Sequence, residues 1–264
     1  MDQEQAARER LNYVLCRAGF ALISVALVLA CFETVLYFPR HLGARPFMLW
    51  LLRSPLWDWA GVPIVWGSLI GVFLLWGRWD NRAWQRRTGL LLVFCMIDAG
   101  LWLMDHGPEL GLGDRDLGNL WFRISVGQAV GWAEFALIAS LACEVLTHLG
   151  VEAAADTGRS TRALASTGAV LWMLRFMNST DWQSGWPLQH KRFLTPESFL
   201  LNVGWNVVWV ITTIQVTALA IAATRQLSEV ILELTRDAER NDLFRSRSES
   251  PLAWADESRR DDSA

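Results

Sequence analysis

Glu33, Asp98, Glu134, Glu144 and Arg175 are ionisable side chains that stand inside long apolar stretches of this chain. An ionised group in hydrocarbon is expensive, so each of these positions calls for a physical explanation. Read as membrane helices rising 1.5 Å per residue, the stretches bring several of the charges to similar depth. Asp98 and Glu134 come within roughly 3–4 Å of the midplane, and Glu33 and Arg175 lie on the order of 8 Å toward the outer face. Asn202 and Asn206 fall in the same outer half. If these groups meet, Arg175 balances one carboxylate and the other acids must hold a proton, water or a cation. That is the chemistry of a proton or small-cation site. The competing explanation is structural: one buried ion pair plus neutral acids set helix register, while Glu33 and Arg175 reach outward to the headgroups.

Other constellations are weaker. His41, His106 and His190 belong to three loops expected on one outer face, and His106 neighbours Asp105 and Glu109. Imidazoles with carboxylates can ligate zinc or copper, or carry a haem. No two of these histidines have ligand spacing, so a metal reading rests on their shared side alone. His148 follows Glu144 by one helical turn, which predicts a surface pair rather than a proton relay. Gly67 with Gly71, and Gly127 with Gly131, have the spacing of helix-packing faces. Cys16, Cys31, Cys95 and Cys143 lie in or beside apolar runs without CxxC spacing, and read as small buried hydrophobes. No nucleotide, cofactor or nucleophile–base motif is present, so an enzyme is the least supported class and no cofactor is indicated.

The elements that must position these residues are helices. Apolar runs cover residues 16–38, 57–76, 88–104, 124–148, 162–178 and 198–224, close to the ~20 residues that cross a bilayer. The fifth is the weakest, with Ser160, Thr161, Ser166 and Thr167 at its start. Many of the 16 tryptophans stand at run ends, where an indole meets both lipid and water. The expected fold is therefore all-α, a polytopic bundle of six transmembrane helices in a plasma or inner membrane. Arg8, Arg10, Arg17, the dense group Arg78, Arg82, Arg86 and Arg87, then Arg159, Arg162 and the C-terminal arginines collect on one side. The other side holds Arg40, Arg45, Arg53, Arg115, Arg123, Lys191 and Arg192. The excess of basic residues marks the cytoplasm and puts both termini there. Residues 46–52 are apolar but too short to cross, and are expected in the outer interface.

Val28-Leu29-Ala30-Cys31 loosely resembles a lipoprotein cleavage site, but the apolar run continues through Phe38 as a spanning helix requires. At the far end, Thr195-Pro196-Glu197 suits a helix start. Leu227, Val230, Ile231 and Leu234 then extend an amphipathic stripe past the last span, expected to lie on the membrane face or to pair with another helix. Residues 1–240 thus form the membrane domain, and 241–264 read as a disordered tail. The net charge of −3 offers no electrostatic footprint for nucleic acid. The bilayer is the expected partner. Two functions fit: proton or cation handling through the outer-half polar cluster, or a structural subunit assembling with a second copy or another membrane protein.

Overall fold

In a computed structural model the described residues are 3–41, 61–79, 81–106, 120–179 and 196–249, with no strand among them. Side chains are described over the same ranges except at 3–6, 36–41, 120–125, 175–179, 196–199, 201–202 and 241–249. The helices are α1 (Gln3–His41), α2 (Gly61–Leu75), α3 (Arg82–His106), α4 (Leu120–His148), α5 (Ala153–Ser179) and α6 (Pro196–Glu249). Four segments are long and apolar enough to cross a membrane: Ala7–Val35, Arg82–His106, Val126–His148 and Val203–Arg240. Their outward surfaces are greasy: Val25, Phe32, Val93, Met96, Ile214 and Ile221 are all exposed. A helix that is apolar on both its inner and outer faces suits lipid better than water.

The two remaining helices do not reach that length and apolar character over their described residues. The 15 described residues of α2 span about 22 Å, short of the ~30 Å of a hydrocarbon core. α5 is long enough, but its first turns carry Asp156, Arg159, Ser160, Thr161 and Arg162. Only its second half is apolar. The expected interfacial segment 46–52 lies outside the described residues.

Successive helices pack against one another, α1 against α6 closes the ring, and α4 crosses to α6. The pairings are antiparallel between neighbours. Arg10 of α1 donates to the Thr235 hydroxyl of α6 at 3.0 Å, while near the other end the Trp209 indole donates to Thr34 at 3.3 Å. Gly19 and Gly71 bring α1 and α2 together: a Cβ on Gly71 would stand 2.8 Å from the Gly19 carbonyl oxygen. Small residues at that crossing allow the backbones to touch.

Turn chemistry holds the basic end. Gly150, at φ +81°, closes α4, with the Val151 amide bonded to the Leu146 carbonyl and that of Gly150 to Thr147. This is the glycine-capped helix stop, and it leads directly into α5. Asn81 caps α3 by accepting the Ala83 amide at 2.9 Å. The buried Trp84 indole donates to the Leu75 carbonyl of α2 at 3.1 Å. Hydroxyls within the helices, including Ser24, Thr88, Thr213 and Thr217, donate to their own helix's carbonyl one turn back. That satisfies them without any partner from another helix.

α6 begins at Pro196, as the cap pattern predicts, and runs to Glu249. The disordered tail expected from residue 241 is thus helical through 249. Residues 225–249 contain no Gly or Pro, and Pro251 is the first breaker, so the helix has no local reason to stop earlier. The stripe past the last span also finds its partner within the chain. Leu227 is fully buried, and one turn beyond the stripe's Ile231 the Thr235 hydroxyl meets Arg10 of α1.

Candidate functional site

Two acidic centres sit on α4, one deep and one near the basic end. The deep centre joins α3 to α4. On α3, Cys95 and Asp98 are three residues apart and so share a face. Facing them is Glu134, whose carboxyl is close enough to that of Asp98 for the two to repel, and within hydrogen-bonding reach of the Cys95 thiol. Cys95 is buried at 2% exposure. The Glu134 Oε1 atom is wholly buried and has no hydrogen-bond partner. Among the described residues no arginine, lysine or histidine pairs with either acid.

An aromatic cluster occupies the side of α4 that faces α5 and α6. Trp132 meets Trp209 edge-on at 4.8 Å between ring centres, and Trp205 at 6.3 Å; Phe135 packs on Trp209 at 4.9 Å. Each such contact contributes about 0.5–1.5 kcal/mol beyond its buried area. Glycines make the room. A Cβ on Gly131 would lie 2.8 Å from the Trp209 ring, and one on Gly168 of α5 would collide with the Trp132 ring. Trp132 itself is 2% exposed, and its indole nitrogen has no hydrogen-bond partner.

Of the other expected site residues, Asn206 is buried at 3% exposure in α6. Glu33 is half-buried in α1, and among the described residues no charged group acts on it, so it is set apart from the Asp98–Glu134 pair. The side chains of Arg175 and Asn202 lie outside the described residues. Gly67 and Gly71 face α1, whereas Gly127 has only an ordinary contact, 3.7 Å from the place of its Cβ to Leu101 of α3. His106 stacks on Trp102 at 4.6 Å, with Nδ1 3.1 Å from the Trp102 carbonyl oxygen. The His41 side chain and all of His190 are outside the described residues, and among those described no group of three or more His, Cys, Asp or Glu gathers as metal ligands.

Comparison with protein-family models, curated proteins and solved structures finds no match to this chain. Its chemistry must be argued from its own side chains.

The second centre surrounds Glu144, two to three turns further along α4. Arg87 of α3 pairs with it at 3.1 Å, and the Asn81 amide donates to its Oε1 at 3.0 Å. Arg87 also donates to Ser140 at 2.8 Å. His148 does not pair with Glu144 as the spacing suggests. It packs on the Trp79 ring at 5.2 Å, and Trp79 in turn on Trp84. Two open hollows flank this centre, of about 390 and 430 Å³, and both are lined by Glu144 and His148. Sequence reasoning singled out Glu144 but not Arg87, Asn81 or Ser140. The usable signal was the concentration of arginines at 78–87 next to a capping asparagine. Cys95 was also passed over, although its i, i+3 spacing to Asp98 placed it on the acid's face.

Proposed function

We propose that this protein is a multi-pass membrane protein that handles protons through the Asp98–Glu134 pair. The observation that carries the reading is two carboxyl groups close enough to repel in a buried setting, with no cation beside them among the described residues. Two negative charges side by side in a low dielectric repel strongly. Holding a proton between them removes that repulsion, and release and rebinding of that proton is a transport step. A hard metal cation is a poorer fit, because calcium or magnesium takes six or more oxygen ligands and this centre supplies two carboxyls and a thiol.

The rest of the reading extends the four apolar helices to six spans, with α2 and α5 completing the bundle in a plasma or inner membrane. The ring of antiparallel neighbours supports it, since the start of α1 and the extension of α6 emerge at one end. The arginines of α3 and α5 collect at that same end, which we assign to the cytoplasm. On this reading Glu33 and Asn206, with Asn202 and Arg175 by sequence position alone, belong to the outer approach to the pair.

Reconstituted into liposomes, the wild-type chain should dissipate an imposed pH gradient, and Asp98→Asn and Glu134→Gln should each slow it about tenfold or more. Equal rates in wild type and both variants would sink the proton reading and leave an assembly subunit.

A further inference from the structure

The 430 Å³ hollow beside Glu144 has a use that the acid pair does not supply. It opens between α3, α4 and α5, and is lined by Arg87, Arg159 and Arg162 together with Ser140, Thr147 and Glu144. We propose that it binds the phosphate group of an anionic ligand. The charges favour an anion: three guanidiniums face one carboxylate, and that carboxylate is already ion-paired with Arg87 and accepts from Asn81. Arg159 does pair with Asp156 at 2.8 Å, but that contact is at the open surface, with side chains 71% and 81% exposed. An exposed pair of this kind is weak and gives way to a better acceptor. Arg162 donates from Nε to the Gly158 carbonyl at 3.2 Å and has no carboxylate partner among the described residues.

Neutral donors complete the set. Ser140 accepts from Arg87 at 2.8 Å, so its own hydroxyl proton is directed elsewhere, and the hollow is the open direction. Arginine suits phosphate because its planar fork matches two oxygens at once, and charge-assisted bonds of this kind are about twice as strong as neutral ones. The site is held on rigid parts. The glycine-capped turn at Gly150 sets α5 against α4, and the Cys143 thiol donates to the Ala154 carbonyl at 3.1 Å beneath the hollow. The phosphate has two natural sources, the headgroup of an acidic phospholipid or a free phosphate ion. The hollow lies at the end where arginines gather, so either could reach it.

Native mass spectrometry of the full chain in mild detergent separates them. The probes are phosphatidylglycerol, phosphatidylcholine and inorganic phosphate, each with wild type, Arg159→Gln/Arg162→Gln and Arg159→Lys/Arg162→Lys. The wild type should retain phosphatidylglycerol over phosphatidylcholine, the glutamine variant should bind it about tenfold more weakly, and the lysine variant should recover part of the loss. Retention unaffected by excess inorganic phosphate identifies the lipid headgroup. Binding of phosphate itself, lost in the glutamine variant, identifies the free ion. Equal binding by wild type and glutamine variant, with thermal unfolding unchanged, overturns the site.

Discussion

Glu134 and Glu144 are the same residue on the same helix, about 15 Å apart along its axis at 1.5 Å per residue, and their surroundings are opposites. Glu144 has a guanidinium at 3.1 Å, an amide at 3.0 Å and two hollows open to it. Glu134 has a second acid and a thiol near it and, among the described residues, no cation. Near the basic end, arginines from the adjoining turn can reach a carboxylate while their stems stay along apolar surface. Deeper in the bundle no cation pairs with Glu134 among the described residues, and a bound proton is then the way to neutralise it. The contrast separates an acid that stabilises the fold from one that the fold tolerates.

The comparison is broken most forcefully by crowding one centre alone. Gly168→Val should drive the Trp132 ring, carried two residues before Glu134 on α4, out of its slot against α5. It should cost about 3 kcal/mol in chemical unfolding, the upper end for overpacking. Proton flux should fall with it, while phosphate retention near Arg162 is kept in whatever fraction stays folded.

The next effect sets the two acids directly against each other. Arg87→Gln removes the cation from Glu144, which is 23% exposed, and should cost about 1–3 kcal/mol, because a partly buried carboxylate loses its charge-assisted partner. Glu134→Gln keeps the shape and removes a charge with no cation beside it among the described residues, so its stability should stay within about 1 kcal/mol of wild type. If Glu134→Gln proves the more damaging of the two, the contrast is wrong. The smallest effect sharpens the same point: a double-mutant cycle over Arg87 and Glu144 should return a coupling of about 1 kcal/mol, typical of a half-exposed pair.

Much of the deep centre was legible in the chain. Asp98 and Glu134 share a depth because their positions in two apolar runs are equivalent, and depth follows from counting residues. The meeting of those two, and the separation of Glu33 from them, was not legible. It depends on which helix neighbours which and on how each is rotated, and the α3–α4 pairing decides both. The Glu144 centre shows the same limit. Its i, i+4 neighbour His148 was the local expectation, but the partner that arrived is Arg87, from a helix far away in sequence. The stripe from Leu227 to Leu234 announced a contact without naming α1 as its recipient.

Composition and periodicity alone determined the helices, their apolar character, the start of α6 at Pro196 and the presence of acids where hydrocarbon is expected. These depend on interactions within a few residues along the chain and on transfer of side chains out of water. The tertiary structure decided the partners: Asp98 for Glu134, Arg87 for Glu144, α1 for the long extension of α6, and glycines opposite the indoles. Partnership is a matter of distances across the bundle, which packing sets through contacts between residues far apart in sequence.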